Sequence, residues 1–198
     1  MTKKGTKTPA KAPVERDSTT RRGILTAATK LFAAYGVRKT SMEAIAEAAG
    51  VAKATLYAYF ANKEAAFAAV SIAVAVDMQE EAKRRAAGAT TPVRAVAASL
   101  VSKYGAFFEL VHASPHAREL LDASNRLSGA ELETVHAVYV EDVVALVGAC
   151  AGVARTEARQ LAELLEASSE GISSRAKSVR EVRARIELLV GRVLGDLH

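Results

Sequence analysis

Between Thr40 and Lys63 the chain gathers hydroxyls and cations at helical spacing: Thr40, Ser41, Lys53, Thr55, Tyr57, Tyr59 and Lys63, with the small residues Ala54 and Ala58 among them. No nucleophile sits beside a base here, and no phosphate loop or metal-ligand spacing is present. Short hydroxyls and ammonium groups are suited instead to recognising a polyanion, with phosphate contacts positioning the protein and short side chains reaching base edges. Charge along the chain supports that chemistry. Residues 1–63 hold 12 Lys/Arg against 4 Asp/Glu, and residues 64–198 hold 15 against 18, so the net +5 arises from +8 and −3. A polyanion-binding surface therefore belongs to the N-terminal third.

Two short helices must position these groups. Thr40 followed by Glu43 has the spacing of a capping box, and Met42, Ile45, Ala46 and Ala49 then recur on one helical face. Gly50 can end that helix in the left-handed conformation. In the next helix, about Ala52 to Phe60, Leu56 and Phe60 point inward. The opposite arc carries Ala54, Ala58 and Thr55, bordered by Lys53 and Tyr57 on one side and Tyr59 on the other. Small central residues let the backbone approach a surface closely. The alternative is a generic pair of core helices, against which stand the two tyrosines on the polar side, the glycine turn and the surrounding charge.

The run Gly50-Val51-Ala52-Lys53-Ala54-Thr55-Leu56-Tyr57-Ala58-Tyr59-Phe60-Ala61-Asn62-Lys63-Glu64 resembles the helix-turn-helix signature of the TetR (TetR/AcrR) family of bacterial transcriptional regulators. Thr40-Ser41-Met42 with Ile45-Ala46 and Ala49-Gly50 fits as well, as does the upstream Leu31-Phe32 with Tyr35-Gly36. The match covers about Arg21 to Phe67. Ala52 and Ala54 depart from the family's usual serine and glycine. The missing hydroxyl removes a cap of about 1 kcal/mol, and Ala52 is not carried over as a contact. The resemblance implies DNA contacts at Thr40, Ser41, Lys53, Ala54, Thr55, Tyr57, Ala58, Tyr59 and Lys63, with Lys63 on a phosphate.

Few aromatics, no Trp, four Pro and abundant Ala favour helices throughout. The expected fold is all-α: an N-terminal three-helix DNA-binding domain joined by a long helix to a C-terminal helical bundle. Three regions are expected: a disordered basic arm over 1–18, the helix-turn-helix domain over 19–67 and a ligand-binding and dimerisation domain over 68–198. The arm carries Lys3, Lys4, Lys7 and Lys11 without enough apolar surface to order itself. The first folded helix, about Thr20 to Tyr35, has Ile24, Ala27, Ala28, Leu31, Phe32 and Tyr35 as its stripe, and Arg21 and Arg22 lie near its start. Asn62 caps a long helix over about Lys63 to Ala87. Five more are expected over about Pro92 to His112, His116 to Leu127, Gly129 to Val153, Thr156 to Ser169 and Ser178 to Leu197. Ser128 with Glu131 and Ser178 with Glu181 repeat the capping-box spacing.

By resemblance, the C-terminal helices enclose a pocket for a small-molecule effector of unknown identity. Candidate lining residues are Tyr104, Phe107, Phe108, Val111, Tyr139 and Val143, with ordinary core as the other reading. Val182, Ile186, Leu189, Val193 and Leu197, with Leu161, Leu164 and Leu165 on the preceding helix, form a four-three seam suited to bundle packing. The seam could be buried within one subunit. Resemblance favours a homodimer on a palindromic operator in double-stranded DNA, with recognition helices about one turn apart or a multiple of it.

His112 and His116 are separated by Pro115, while His136 and His198 stand alone, so no metal or other cofactor is expected. Cys150, the single cysteine, reads as a packed thiol in a cytoplasmic protein. No apolar run approaches a spanning length, and no membrane partner is expected. The function implied is a repressor released from its operator by a small molecule. A DNA-binding activator or non-inducible regulator is the alternative. An enzyme or small-molecule carrier would need a constellation the sequence lacks.

Overall fold

A computed structural model describes residues 13–154 and 156–195. Among them the chain forms eight helices and no strand: α1 (Pro13–Lys39), α2 (Met42–Ala49), α3 (Lys53–Tyr59), α4 (Lys63–Ala87), α5 (Pro92–Ala113), α6 (Ala117–Gly148), α7 (Ala158–Arg175) and α8 (Val179–Leu194). The all-α expectation holds. Residues 13–18, assigned to the arm by composition, are the opening turns of α1, and the rest of that arm lies outside the described residues.

Local chemistry sets the boundaries. Asn62 caps α4 by accepting from the Ala65 amide at 2.8 Å, and Thr91 caps α5 ahead of Pro92, whose missing N–H is harmless in a first turn. Ser178 accepts from Glu181, while the Glu181 carboxylate accepts from the Lys177 amide, one residue before the cap. Elsewhere one glycine misleads. Gly171 lies inside α7, because one glycine costs a helix only about 1 kcal/mol and the buried positions 165, 169 and 173 hold both sides of it to the core. The break expected before Gly129 is present at Ser128 (φ −143°, ψ 18°), as a kink that divides α6. The Ser128 hydroxyl turns back to donate to the Ser124 carbonyl at 2.9 Å.

Two apolar cores result. The first joins Ile24, Ala28 and Phe32 of α1 to Ile45, Leu56 and Phe60, and takes Phe67 and Val70 from α4 and Ala123 from α6. Phe32 and Phe67 meet edge to face at 5.1 Å. Tyr35, expected in this stripe, is 56% exposed, since the break at Gly36 follows directly and turns the chain away. The second core is built by α5, α6, α7 and α8, with Ala82 of α4. Helix α4 thus runs between both cores, and the first extends along it past Ala68 to Val70.

The two halves also meet at Gly36, which adopts φ 77° and ψ 168°. A Cβ there would lie 2.9 Å from the Glu119 carboxylate of α6. Glu119 in turn accepts the Arg38 amide at 3.2 Å, and Ser114, just after α5, donates to the Ala33 carbonyl at 2.7 Å. Only glycine combines that backbone conformation with so close an approach.

Candidate nucleic-acid interface

Helix α2 ends at Gly50 in the left-handed region, with the Val51 amide on the Ala46 carbonyl and the Gly50 amide on that of Glu47, each at 3.0 Å. This pair of bonds is a Schellman ending, and it turns the chain tightly into α3. Leu56 and Phe60 are buried beneath α3. The face they leave outward exposes Lys53, Ala54, Tyr57 and Ala58, with Thr55 and Tyr59 partly covered. The sequence-derived arc is therefore brought together on one side of a seven-residue helix. Ala52 at its start makes no side-chain cap, as an alanine there requires.

The cap expected of Thr40 is made by its neighbour Ser41. Ser41 is the cap of α2, accepting from the Ala44 amide at 3.1 Å, and is exposed. Thr40 is buried at 3% exposure and donates to the Gly36 carbonyl at 2.8 Å. It fastens the α1–α2 corner from inside, so it is corrected from a surface contact to a support. The capping-box spacing could not separate two adjacent hydroxyls.

The cations already have partners. Lys53 forms an ion pair with Glu43, both more than half exposed, and its ammonium lies 5.8 Å from the Tyr57 ring centroid. That pairing lowers the Glu43 carboxyl below its ordinary value and raises the Lys53 ammonium above its own, each chiefly through the hydrogen bond between them. Lys63 donates to the Arg38 carbonyl at 3.2 Å, at the end of α1. Arg21 lies over the Phe60 ring at 5.8 Å. Between α1 and α2 runs an open groove of about 520 Å³, lined in part by Arg22, Thr26, Lys30 and Ala48. Lys30 and Thr26 went unnoticed in the sequence. Their spacing of four, opposite the apolar stripe, was the available signal.

The C-terminal candidates distribute differently. Tyr104, Phe108, Tyr139 and Val143 are buried within the second core, while Phe107 and Val111 are partly exposed at its edge. The four buried side chains pack against apolar neighbours from α5 to α8. Among them lies a polar cluster. The Glu166 carboxylate (side chain 7% exposed) accepts from the Lys103 ammonium at 2.9 Å, and from the Tyr104 hydroxyl. His136 places Nδ1 at 3.1 Å from that ammonium and Nε2 at 3.5 Å from the same carboxylate. Lys103 lies 3.9 Å over the Tyr139 ring and 5.0 Å from that of Tyr104. Burial pulls the Lys103 ammonium below the usual lysine range, and burial pushes both tyrosine hydroxyls above the phenol range.

His136, which stands alone in sequence, is thus part of a group. Lys103, Glu166 and Ser99, which meets the Tyr139 hydroxyl at 3.2 Å, were missed. Charged residues set inside apolar stripes, Lys103 beside Tyr104 and Glu166 beside Leu165, were the visible clue.

The dimer candidates divide as well. Leu165, Val182 and Ile186 are fully buried inside the chain's own core, so the seam is largely intramolecular. Leu161, Leu189 and Val193 are partly buried against that core. Leu164 is 53% exposed, and Leu188, which the seam did not include, is 60% exposed. Leu197 lies outside the described residues. No single helix among the described residues is long and apolar enough to cross a membrane.

Residues 24–70 match the family model described as bacterial regulatory proteins, tetR family. Over 59 residues the chain is 39% identical to the uncharacterized HTH-type transcriptional regulator YhgD of Bacillus subtilis (strain 168), a match covering 30% of this chain and 31% of that protein. The chain therefore spans about a third of that relative's length in the matched segment. Two solved structures share the fold over most of the chain. One is a transcriptional regulator of the TetR/AcrR family from Thermobifida fusca YX-ER1, at 20% identity and TM-score 0.67, covering 91% of this chain and 99% of that one. The other is the fatty acid degradation regulator FadR from Bacillus halodurans, at 22% identity and TM-score 0.59, covering 96% and 99%.

Proposed function

We propose that this chain, whose residues 24–70 belong to the tetR family of bacterial regulatory proteins, is a DNA-binding transcriptional regulator that acts as a homodimeric repressor released by a small-molecule effector. One observation carries the DNA-binding part. Helix α3 presents Ala54 and Ala58 outward with Thr55 between them, flanked by Lys53, Tyr57 and the exposed Ser41 cap. Small side chains let such a helix sit deep in a major groove. There Thr55 would meet base edges while Lys53, Tyr57, Tyr59, Ser41 and Lys63 meet phosphates.

The working division is a DNA-binding unit over 19–67 and a regulatory unit over 68–198, coupled through α4 and the Gly36–Glu119 contact. The exposed Leu164 and Leu188 on α7 and α8 support pairing of two copies through these helices. Two copies would place their recognition helices on successive half-sites. An effector would act only through unequal affinity for the DNA-competent and incompetent arrangements. An electrophoretic mobility shift with the DNA flanking the protein's own gene tests this reading. The expected result is a discrete complex with a palindromic segment, and no complex at low salt would overturn it.

A further inference from the structure

The Lys103 ammonium lies where a ligand's head group would be well held. It is 2.9 Å from the Glu166 carboxylate, 3.9 Å over the Tyr139 ring and 5.0 Å from the Tyr104 centroid. His136 Nδ1 is 3.1 Å away. A buried ion pair stabilises a fold little compared with apolar residues of similar volume, because desolvating both charges is costly. Two tyrosine faces and a carboxylate converging on one cation form instead a receptor for a positive charge.

We propose that this cluster is an effector site for primary alkylammonium compounds, with the Lys103 side chain acting as its built-in competitor. The proposal rests on the regulatory reading above and names the ligand class for it.

Three features fix the class. First, the group to be displaced is the lysine. Its side chain is 15% exposed on a four-carbon stem that can swing toward solvent, whereas Glu166 is 7% exposed on a buried face of α7 and accepts a second hydrogen bond from Tyr104. Without Lys103, what remains is two π faces, a carboxylate and the imidazole lone pair, all of which favour a cation. Second, the 2.9 Å and 3.1 Å contacts are hydrogen bonds. The head must therefore donate N–H, which a primary ammonium does and a quaternary one cannot. Third, the tail of such a ligand has to leave the cluster on its open side, because the path of the lysine stem ends on the α5 backbone. His136, with a side chain 47% exposed, stands at the outer edge of the cluster and marks the entrance.

Entry of such a ligand would leave the Glu166 charge paired while freeing Lys103 from α7. That alters the link between α5 and α7 without unpairing a buried charge.

The test is calorimetric titration of the full-length protein with n-hexylammonium, against 1-hexanol, hexanoate and tetramethylammonium as controls. Binding of n-hexylammonium with negligible heat from the three controls is expected. The variant K103A, which removes the competitor, should bind it tighter by on the order of tenfold, since the competent cage no longer has to be vacated first. The double variant K103M/E166Q, which replaces the pair by neutral groups, should not bind it. Equal binding of hexanol, or binding retained in K103M/E166Q, would overturn the proposal, as would no binding by the wild type. Should K103A fail to fold, the contrast between wild type and double variant decides alone. The same samples are run in a mobility shift with the flanking DNA. Loss of n-hexylammonium binding with DNA binding intact refutes the ligand class only, whereas absence of DNA binding refutes the regulatory reading and leaves the calorimetric answer standing.

Discussion

The two halves of the molecule treat charge in opposite ways. In the N-terminal half, Lys53 and Glu43 pair across the α2–α3 surface with both side chains more than half exposed. In the C-terminal half, Lys103 and Glu166 pair inside the core at 15% and 7% exposure. Exposed pairs are weak and exchange partners at little cost, so a DNA phosphate can replace Glu43 on Lys53. A buried pair can exchange only for a group that matches its charge and hydrogen bonds, because an unpaired buried ion is costly. The outer surface thus suits a long polyanion of variable sequence, and the inner cluster suits one small, chemically defined visitor.

The sharpest way to break this contrast is to remove one member of each pair. K103A leaves the Glu166 charge buried without its ammonium partner and should lower unfolding stability by roughly 3–5 kcal/mol, read as a lower urea midpoint. E43A should leave that midpoint in place. If the two variants behave alike, the contrast is wrong.

A smaller effect is expected at the junction between the halves. G36A forces an alanine into φ 77° with its Cβ 2.9 Å from the Glu119 carboxylate. Strain of this kind costs about 1–3 kcal/mol, so its melting temperature should fall. G50A also has a positive φ (66°) but meets nothing within 4 Å, and it should lose less. Equal losses would mean that the Gly36–Glu119 contact contributes nothing.

Effects on DNA come next, without a change in fold. Y57F and K63A should weaken binding to all sequences alike, while changes at Thr55 should alter which sequence is chosen. K53A should reduce the dependence of log affinity on log salt by about one unit, as one phosphate contact is lost. The smallest expected effect is on pH dependence. The Glu43 carboxyl is held below its ordinary value by Lys53. A depressed carboxyl contributes stability above its unfolded value, and that contribution disappears as pH falls through the lowered one. A slight loss of stability in the acid range, absent in E43Q, is therefore expected in acid titrations followed by circular dichroism.

Much of this was readable from residue order. The Gly50 turn, the inward Leu56 and Phe60, and the Asn62 cap follow from local chemistry that acts within four residues. The outward arc of α3 did too, because seven residues of helix define their own faces. What escaped depends on distant partners. Thr40 and Ser41 are chemically similar neighbours, and only the packing of α1 against α2 decides which is buried. The four-three seam of α8 announces an apolar face but not its occupant, and Val182 and Ile186 are buried in the second core of their own chain. Lys103, His136 and Glu166 are separated by 33 and 30 positions along the chain, and nothing local announces that three helices bring them within hydrogen-bonding reach.

The central claim is that the α3 face binds duplex DNA specifically. Fluorescence anisotropy of a labelled duplex from the flanking DNA, titrated with wild type and with Thr55→Ala across a salt series, tests it directly. The expected result is tight binding to that duplex over a scrambled one, a steep loss of affinity with salt, and a smaller preference in Thr55→Ala with the salt dependence unchanged. Equal affinity for the flanking and scrambled duplexes, unaltered by the Thr55 substitution, would contradict it.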